Sequence, residues 1–350
     1  MRAIHSFHVL IAALALTGAA RADEPVASDV TFKGHGDLVL HGTLLLPPGA
    51  SAEHPAPAVL LLPGSGPTDR DGNQRPAIIT DLLRQIAERL AKEGVASLRF
   101  DKRAVLRYAA HWPKDMAAIA DYFAWPPFVG DASAAFVYLR DHEATDAARV
   151  AILGHSEGGL LALNVAYDLA DEPNPPAGLI LCGTAGRTLD IVLREQISRQ
   201  VDRSGISDEA RSKYLGALEE AIAEVRDKGE LTASVPPTLR TLFNPSTVKL
   251  LHAYFTVDPL TLSARVRGPA IVINGEHDAQ ISAERDAPRL KEALEKREGG
   301  WPVELVIAPR TSHNLKPAET MDSPGFTGPV TNEIMEAIVK WTRARLIQTR

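Results

Sequence analysis

Apolar residues recur along this chain with two periods, and the period switches from one stretch to the next. Val30 to Phe32 and Leu38 to Leu46 alternate apolar and polar side chains around Gly34-His35-Gly36, which predicts two antiparallel strands joined by a turn. Ala58 to Leu62 is apolar throughout, between Pro57 and Pro63, as expected of a strand buried on both faces. From Ile78 to Lys92, residues Leu82, Leu83, Ile86, Ala87 and Leu90 form the stripe of an amphipathic helix, which Gly94 ends. Further strands are predicted at Val95 to Phe100, Val150 to Leu153, Gly178 to Leu181, Ala270 to Asn274 and Val303 to Ile307. Helices are predicted at Asp131 to Arg140, Gly158 to Leu169, Ala283 to Lys296 and Glu333 to Leu346. Strands alternating with helices of about 10–15 residues imply a mostly parallel sheet covered on both faces, an α/β fold.

The alternation breaks once. Between about Ala185 and Ser263 no strand pattern occurs, only amphipathic helical sequence such as Leu189 to Val201 and Asp208 to Val225. This predicts a helical insertion after one strand of the sheet, a lid. The start of the chain has a different character. Arg2 precedes a nearly continuous apolar run from Val9 to Ala20, and Ala20-Arg21-Ala22 has the small-x-small form of a cleavage site, as in a secretory signal peptide. The run holds about a dozen residues, short of the ~20 that span a bilayer, so export with cleavage near Ala22 is expected, to the periplasm or beyond, without stable membrane insertion. The predicted organisation is a leader at 1–22, core at 23–184, insertion at 185–263 and core again at 264–350.

Charge and cysteine content narrow the function classes. The 350 residues carry a formal net charge of −6 with no dense basic cluster, which argues against a nucleic-acid partner and for solubility. Cys182 is the only cysteine, so no internal disulfide can form. It ends the apolar run Leu179-Ile180-Leu181 and reads as a packed core thiol rather than a nucleophile. No H-E-x-x-H or comparable ligand spacing occurs, so neither a metal nor an organic cofactor is implied.

The chemistry-bearing pattern is Gly154-His155-Ser156-Glu157-Gly158. G-x-S-x-G alone is weak, since roughly one unrelated chain in eleven of this composition would contain it by chance. Its position counts for more. It follows the predicted strand directly and opens the predicted helix, so Ser156 falls on a sharp strand-to-helix turn that would lift its hydroxyl clear of the sheet beside a helix N-terminus. A serine nucleophile needs a base, and the base an orienting carboxylate; with such an elbow they follow in the order serine, acid, histidine. The histidines after Ser156 are His252, His277 and His313. His252 falls in the insertion and His277 beside the acid candidates, whereas His313 follows the strand ending at Ile307 by a short loop, where the base belongs. The acid is Asp278 or Glu276, both on the loop after Asn274; Asp278 is favoured because the Gly275 turn should carry it further over the sheet edge. For an oxyanion hole, the backbone N–H of Glu157 has its natural partner in the N–H of Ser65, within Pro63-Gly64-Ser65-Gly66-Pro67-Thr68-Asp69-Arg70-Asp71-Gly72. Asp69-Arg70-Asp71 also fits a simple salt-bridged turn.

These motifs together resemble the α/β-hydrolase superfamily, and within it the bacterial serine carboxylesterases with a helical lid, close to the serine-aminopeptidase and dienelactone-hydrolase-like groups. The resemblance covers nearly the whole chain after the leader. It implies an oxyanion loop at Pro63 to Gly72, a nucleophile at Ser156, an acid at Asp278 and a base at His313. One stretch departs from it. Relatives carry Asp-Lys/Arg-Arg-Gly-x-Gly-x-Ser after the strand that ends here at Phe100, but this chain reads Asp101-Lys102-Arg103-Ala104-Val105-Leu106-Arg107-Tyr108, without either glycine. Trp112, Trp125 and Pro126-Pro127 beyond it read either as a pocket wall or as a packed surface loop. The expected activity is cleavage of a small-molecule ester carrying an apolar group. A peptidase, a thioesterase or a lactone hydrolase would use the same triad, and a binding protein on this fold would use none of it. Oligomeric state has no signature in the sequence.

Overall fold

The computed structural model describes residues 24–232 and 235–348; the predicted leader and its cleavage site near Ala22 lie outside the described residues. Eight strands form one sheet: β1 (Val26–Lys33), β2 (Val39–Leu46), β3 (Ala56–Leu62), β4 (Ala96–Phe100), β5 (Thr145–His155), β6 (Leu179–Cys182), β7 (Ala270–Gly275) and β8 (Val303–Ala308). Their spatial order is β1-β2-β4-β3-β5-β6-β7-β8. The N-terminal hairpin is antiparallel and joins β4 antiparallel, while β4 through β8 all pair in parallel. The chain therefore leaves each central strand at the same edge of the sheet, where ligands bind in α/β folds.

The helices are α1 (Leu82–Lys92), α2 (Met116–Tyr122), α3 (Trp125–Arg140), α4 (Glu157–Asp168), α5 (Leu189–Arg203), α6 (Asp208–Lys228), α7 (Val248–Thr256), α8 (Pro259–Ser263), α9 (Ala287–Glu295) and α10 (Asn332–Thr342). The period-2 alternation of the central strands builds two apolar layers. Leu60, Leu62, Val150 and Ile152 face Phe136 of α3, Leu161 and Val165 of α4 and Leu290 of α9. Val59, Leu61, Ala151 and Leu153 face Ile86 and Leu90 of α1 and Ile334, Ile338 and Trp341 of α10. Each such Leu or Ile, fully removed from water, contributes roughly 1.5–3 kcal/mol, so the strands that end at the site are its stiffest support.

Between β6 and β7 the chain runs through α5 to α8, and no strand occurs there among the described residues. This excursion has an apolar core of its own, including Ile197, Leu218, Ile222, Val225, Phe243 and Phe255. The Ser207 hydroxyl caps α6 by accepting from the N–H of Ala210, and Gly229 ends the helix in the left-handed conformation (φ 68°), as C-cap glycines do.

Three helix starts differ by four residues or more from those predicted, two of them because side chains compete for the backbone. α1 begins at Leu82 rather than Ile78 because the Asn73 carboxamide accepts from the N–H groups of Thr80 and Asp81, both at 2.8 Å, and holds them in a loop. α9 begins at Ala287 rather than Ala283, since Asp286 spends its carboxylate on the N–H of Ser282 and on Arg187. α3 begins at Trp125, six residues before the predicted start, with its prolines in the first turn, where their missing N–H groups leave nothing unsatisfied. Gly130 within it lets the turn of the β1–β2 hairpin approach; a Cβ there would sit 2.9 Å from that of His35.

Candidate active site

The ends of β3, β5, β6, β7 and β8 converge on Ser156. It is the N-cap of α4, with φ 56° and ψ −120°, a conformation that costs a non-glycine residue about 1–3 kcal/mol and persists only where the surroundings impose it. They do so here. The Ser156 N–H donates to the Cys182 carbonyl (2.8 Å) at the end of β6, and its carbonyl accepts from Gly159 N–H (2.9 Å). The flanking glycines are required by space: a Cβ on Gly154 would overlap the Gly158 carbonyl, and one on Gly158 the Leu62 carbonyl. Cys182 is fully buried, and burial pushes its thiol up to about 12, so it packs as a neutral group.

The loops after β7 and β8 bring the acid and the base candidates together. The buried Asp278 and His313 meet at 2.8 Å between Oδ2 and Nδ1. Asp278 Oδ1 accepts from the N–H groups of Gln280 and Ile281, both at 2.8 Å, which fixes the carboxylate and directs its other oxygen to the ring. The alternatives read from sequence are engaged elsewhere. Glu276 is exposed and accepts from Arg310 N–H (2.9 Å); His277 Nδ1 lies 2.8 Å from the Ala318 carbonyl; His252 Nδ1 lies 2.9 Å from the Val225 carbonyl within the insertion. His313 shares the wall of a 130 Å³ cavity with Ser156, Gly64 and Ser65.

His155, beside Ser156, is a neighbour of the candidate site that the sequence did not flag. Its Nε2 lies 2.8 Å from the His313 carbonyl, and the two rings are 4.9 Å apart. Burial, with the adjacent His313 second, pulls the imidazole down to about 4. It is therefore neutral near pH 7 and ties the elbow to the loop that carries His313. Nothing in the G-x-S-x-G pattern distinguishes this role from a spacer.

The Pro63 to Gly72 loop is anchored by its charges. Arg70 binds Asp101 (2.9 Å) and Asp29 (2.8 Å), Asp71 pairs with Arg99, and Asp69 Oδ1 accepts from the N–H groups of Asp71 and Asn73. Asp69-Arg70-Asp71 is thus a salt-bridged turn, and it holds in place the segment containing Ser65. The Ser65 carbonyl accepts from Thr68 Oγ1 and Gln74 Nε2, both at 2.8 Å. Glu157 is the first residue of α4, where N–H groups lack a partner within the helix.

The departure after Phe100 resolves into packing. Asp101, Lys102 and Arg103 are all buried. Arg103 forms a paired contact with Asp131 (2.6 and 2.7 Å) and its guanidinium lies 4.9 Å from the Tyr122 ring centre. Trp112 Nε1 donates to the Arg103 carbonyl (3.2 Å) and Trp125 Nε1 to Asn164 (2.9 Å). Neither tryptophan is among the residues lining the cavities at Ser156, so they do not form the pocket wall; Trp112 packs in the loop, whereas Trp125, Pro126 and Pro127 open α3. The larger cavity, about 210 Å³, opens on Ser65, Ser156 and Glu157 and is otherwise walled mainly by apolar residues of the insertion, including Leu189, Val192, Leu251, Phe255 and Val257. Among the described residues no helix is long and apolar enough to cross a membrane.

Known proteins share this architecture. Esterase EstD of Thermotoga maritima is 25% identical over 316 residues, 89% of this chain and 66% of that protein, so the chain spans just under two thirds of this curated relative. Of solved structures, a Pyrococcus furiosus esterase superposes with a TM-score of 0.54 at 16% identity, over 92% of this chain and 91% of that one. A hypothetical protein of Pseudomonas aeruginosa reaches 0.55 at 16% identity, over 92% and 94%. At such identities these superpositions speak for the fold alone. The profile of a family described as α/β hydrolase fold matches residues 123–315, more than half of the chain and the stretch that holds Ser156, Asp278 and His313; the chain belongs to that α/β-hydrolase family.

Proposed function

We propose that this protein is a serine carboxylesterase acting on small esters with an apolar group. The observation that carries the reading is the meeting, at one cavity, of a serine held at φ 56° on an elbow with a buried histidine fixed by a buried aspartate at 2.8 Å. Ser156 Oγ attacks the ester carbonyl carbon while its proton passes to His313 Nε2, and Asp278 stabilises the imidazolium that forms. The oxygen of the tetrahedral intermediate takes hydrogen bonds from the N–H groups of Ser65 and Glu157. The carbon–oxygen bond to the alcohol breaks, His313 returns the proton to the departing alkoxide, and water repeats the sequence to release the acid.

The apolar cavity beneath α5 and α7 suits a hydrocarbon substituent, and that pair of helices serves as the lid over it. Esterase is also the named activity of the Thermotoga maritima relative, which supports the choice of bond. The test is a panel of p-nitrophenyl esters set against aminoacyl anilides, with labelling by a fluorophosphonate probe. We expect ester hydrolysis and one label per chain in the wild type, and neither in Ser156→Ala. Cleavage of anilides alone would move the assignment to a peptidase, and an unlabelled wild type would remove the nucleophile.

A further inference from the structure

Lys102 is 3% exposed, an unusual place for a lysine unless its charge is used. Its Nζ donates to Glu157 Oε1 (2.6 Å) and to the Gly64 carbonyl (3.1 Å), and stands 5.0 Å from the centre of the Phe128 ring. The second oxygen of Glu157 accepts from the Tyr254 hydroxyl of α7. Burial, then the Glu157 charge, push that phenol well above its ordinary value, so Tyr254 stays a donor.

The Gly64 carbonyl and the Ser65 N–H are two ends of one peptide unit. That unit is planar and trans, so fixing the carbonyl on one side aims the N–H to the other. A cation on the oxygen also draws electron density from the amide and makes its N–H a stronger donor. The lysine's anion, Glu157, contributes the second N–H of the proposed oxyanion hole from its own backbone. A single buried ion pair thus spans the two donors, one on the loop after β3 and one on the elbow after β5.

We infer that Lys102 is a positioning residue for acyl transfer: through the Gly64 carbonyl it aims and polarises the Ser65 N–H, with Glu157 holding it in place. This rests on the esterase reading above. Stability alone gives little reason for such a pair, since buried ion pairs are often replaced by apolar side chains at no loss.

The test compares Lys102→Met and Lys102→Gln with the wild type in the full chain. Turnover of a p-nitrophenyl ester is expressed per site labelled by the fluorophosphonate, which removes unfolded protein from the count. Inhibition by an aryl trifluoromethyl ketone, whose adduct oxygen occupies the oxyanion position, is measured alongside. We expect kcat per labelled site to fall about 10- to 100-fold in Lys102→Met with KM within threefold, somewhat less than the loss of a whole donor. The ketone Ki should rise by the factor by which kcat/KM falls. Lys102→Gln, which keeps a neutral donor and a polar partner for Glu157, should lose at least about fivefold but less than Lys102→Met, and it carries the test alone if the methionine variant does not fold. A Lys102→Gln enzyme turning over within threefold of wild type, or a loss of kcat with an unchanged ketone Ki, would overturn the inference. A wild type that neither labels nor hydrolyses would sink the esterase reading too, and is distinguishable because it needs no variant.

Discussion

Gly183 shows how closely the Asp278–His313 pair is enclosed. It follows β6 at φ +55°, and a Cβ there would lie 3.3 Å from the His313 ring and 3.4 Å from Asp278 Oδ2. The His155 ring lies 4.9 Å from that of His313, and its chemistry makes a pH prediction. The unfolded chain takes up a proton on this imidazole near 6.5, whereas the folded protein refuses it until about 4. Over that interval the unfolded state binds more protons, so stability rises with pH and is lost as pH falls from 6.5 toward 4. At about 1.4 kcal/mol per unit, this one group contributes of order 3 kcal/mol at neutral pH relative to pH 4. Thermal melts at pH 7 and pH 4.5 should show a smaller drop in Tm for His155→Gln, which keeps a donor toward the His313 carbonyl but does not titrate, than for the wild type. Equal drops would mean that other groups govern acid unfolding. The residues that sequence picked out here were those with local signatures: Ser156 between glycines at a strand end, Asp278 and His313 on loops after apolar runs. Lys102 and His155 had none, because their partners are reached only in the fold; Lys102 bonds across 38 and 55 residues. A run of three charges directly after a wholly buried strand was the available hint, since charges that close to a core must find partners.

Elements were legible where periodicity was undisturbed and shifted where a side chain captured backbone. Val59 to Leu62 and Ile271 to Ile273 could hardly be other than central strands, but the start of α1 depended on Asn73, nine residues away. The insertion is the element-scale counterpart of this point. Its amphipathic helices predicted burial against something, and much of that something is their own core of Leu218, Ile222, Val225 and Phe255, whereas α7 also presents Leu251 and Phe255 to the cavity. An independent core implies independent opening. Ile222→Ala, at a fully buried site, should cost about 2–5 kcal/mol locally. Hydrogen exchange should then speed up in α5, α6 and α7 while amides of β3, β5 and β6 keep wild-type protection. Equal acceleration in the sheet would show that the insertion unfolds only with the rest of the molecule.

At the scale of the whole molecule the two apolar systems divide the labour. The sheet holds Ser156, His313 and Asp278 from loops at the ends of β5, β8 and β7, and the insertion supplies most of the wall of the larger cavity beside them; on the esterase reading, reactivity and selectivity would have separate sources in the chain. Tyr254 is the point where they touch: it stands on α7, bonds Glu157 at the elbow, packs edge-on against Trp125 of α3 with ring centres 5.8 Å apart, and lines the same cavity. If the proposed esterase places its acyl group in this cavity, the dependence on acyl length should be a property of the insertion. In a cavity of about 210 Å³ walled by Leu, Val and Phe, each methylene that still fits transfers about 0.8 kcal/mol of burial to the bound state, so kcat/KM for p-nitrophenyl esters should climb about fourfold per carbon and then break once the wall is reached. Leu251→Trp, which fills space from the α7 side, should move the break to a shorter chain while leaving acetate hydrolysis within a few-fold of wild type, because the acetyl group does not extend to that wall. If the chain-length profile keeps its break in Leu251→Trp and only the absolute rate changes, the apolar group lies outside this cavity, and the insertion acts on the reaction through Tyr254 and Glu157 instead.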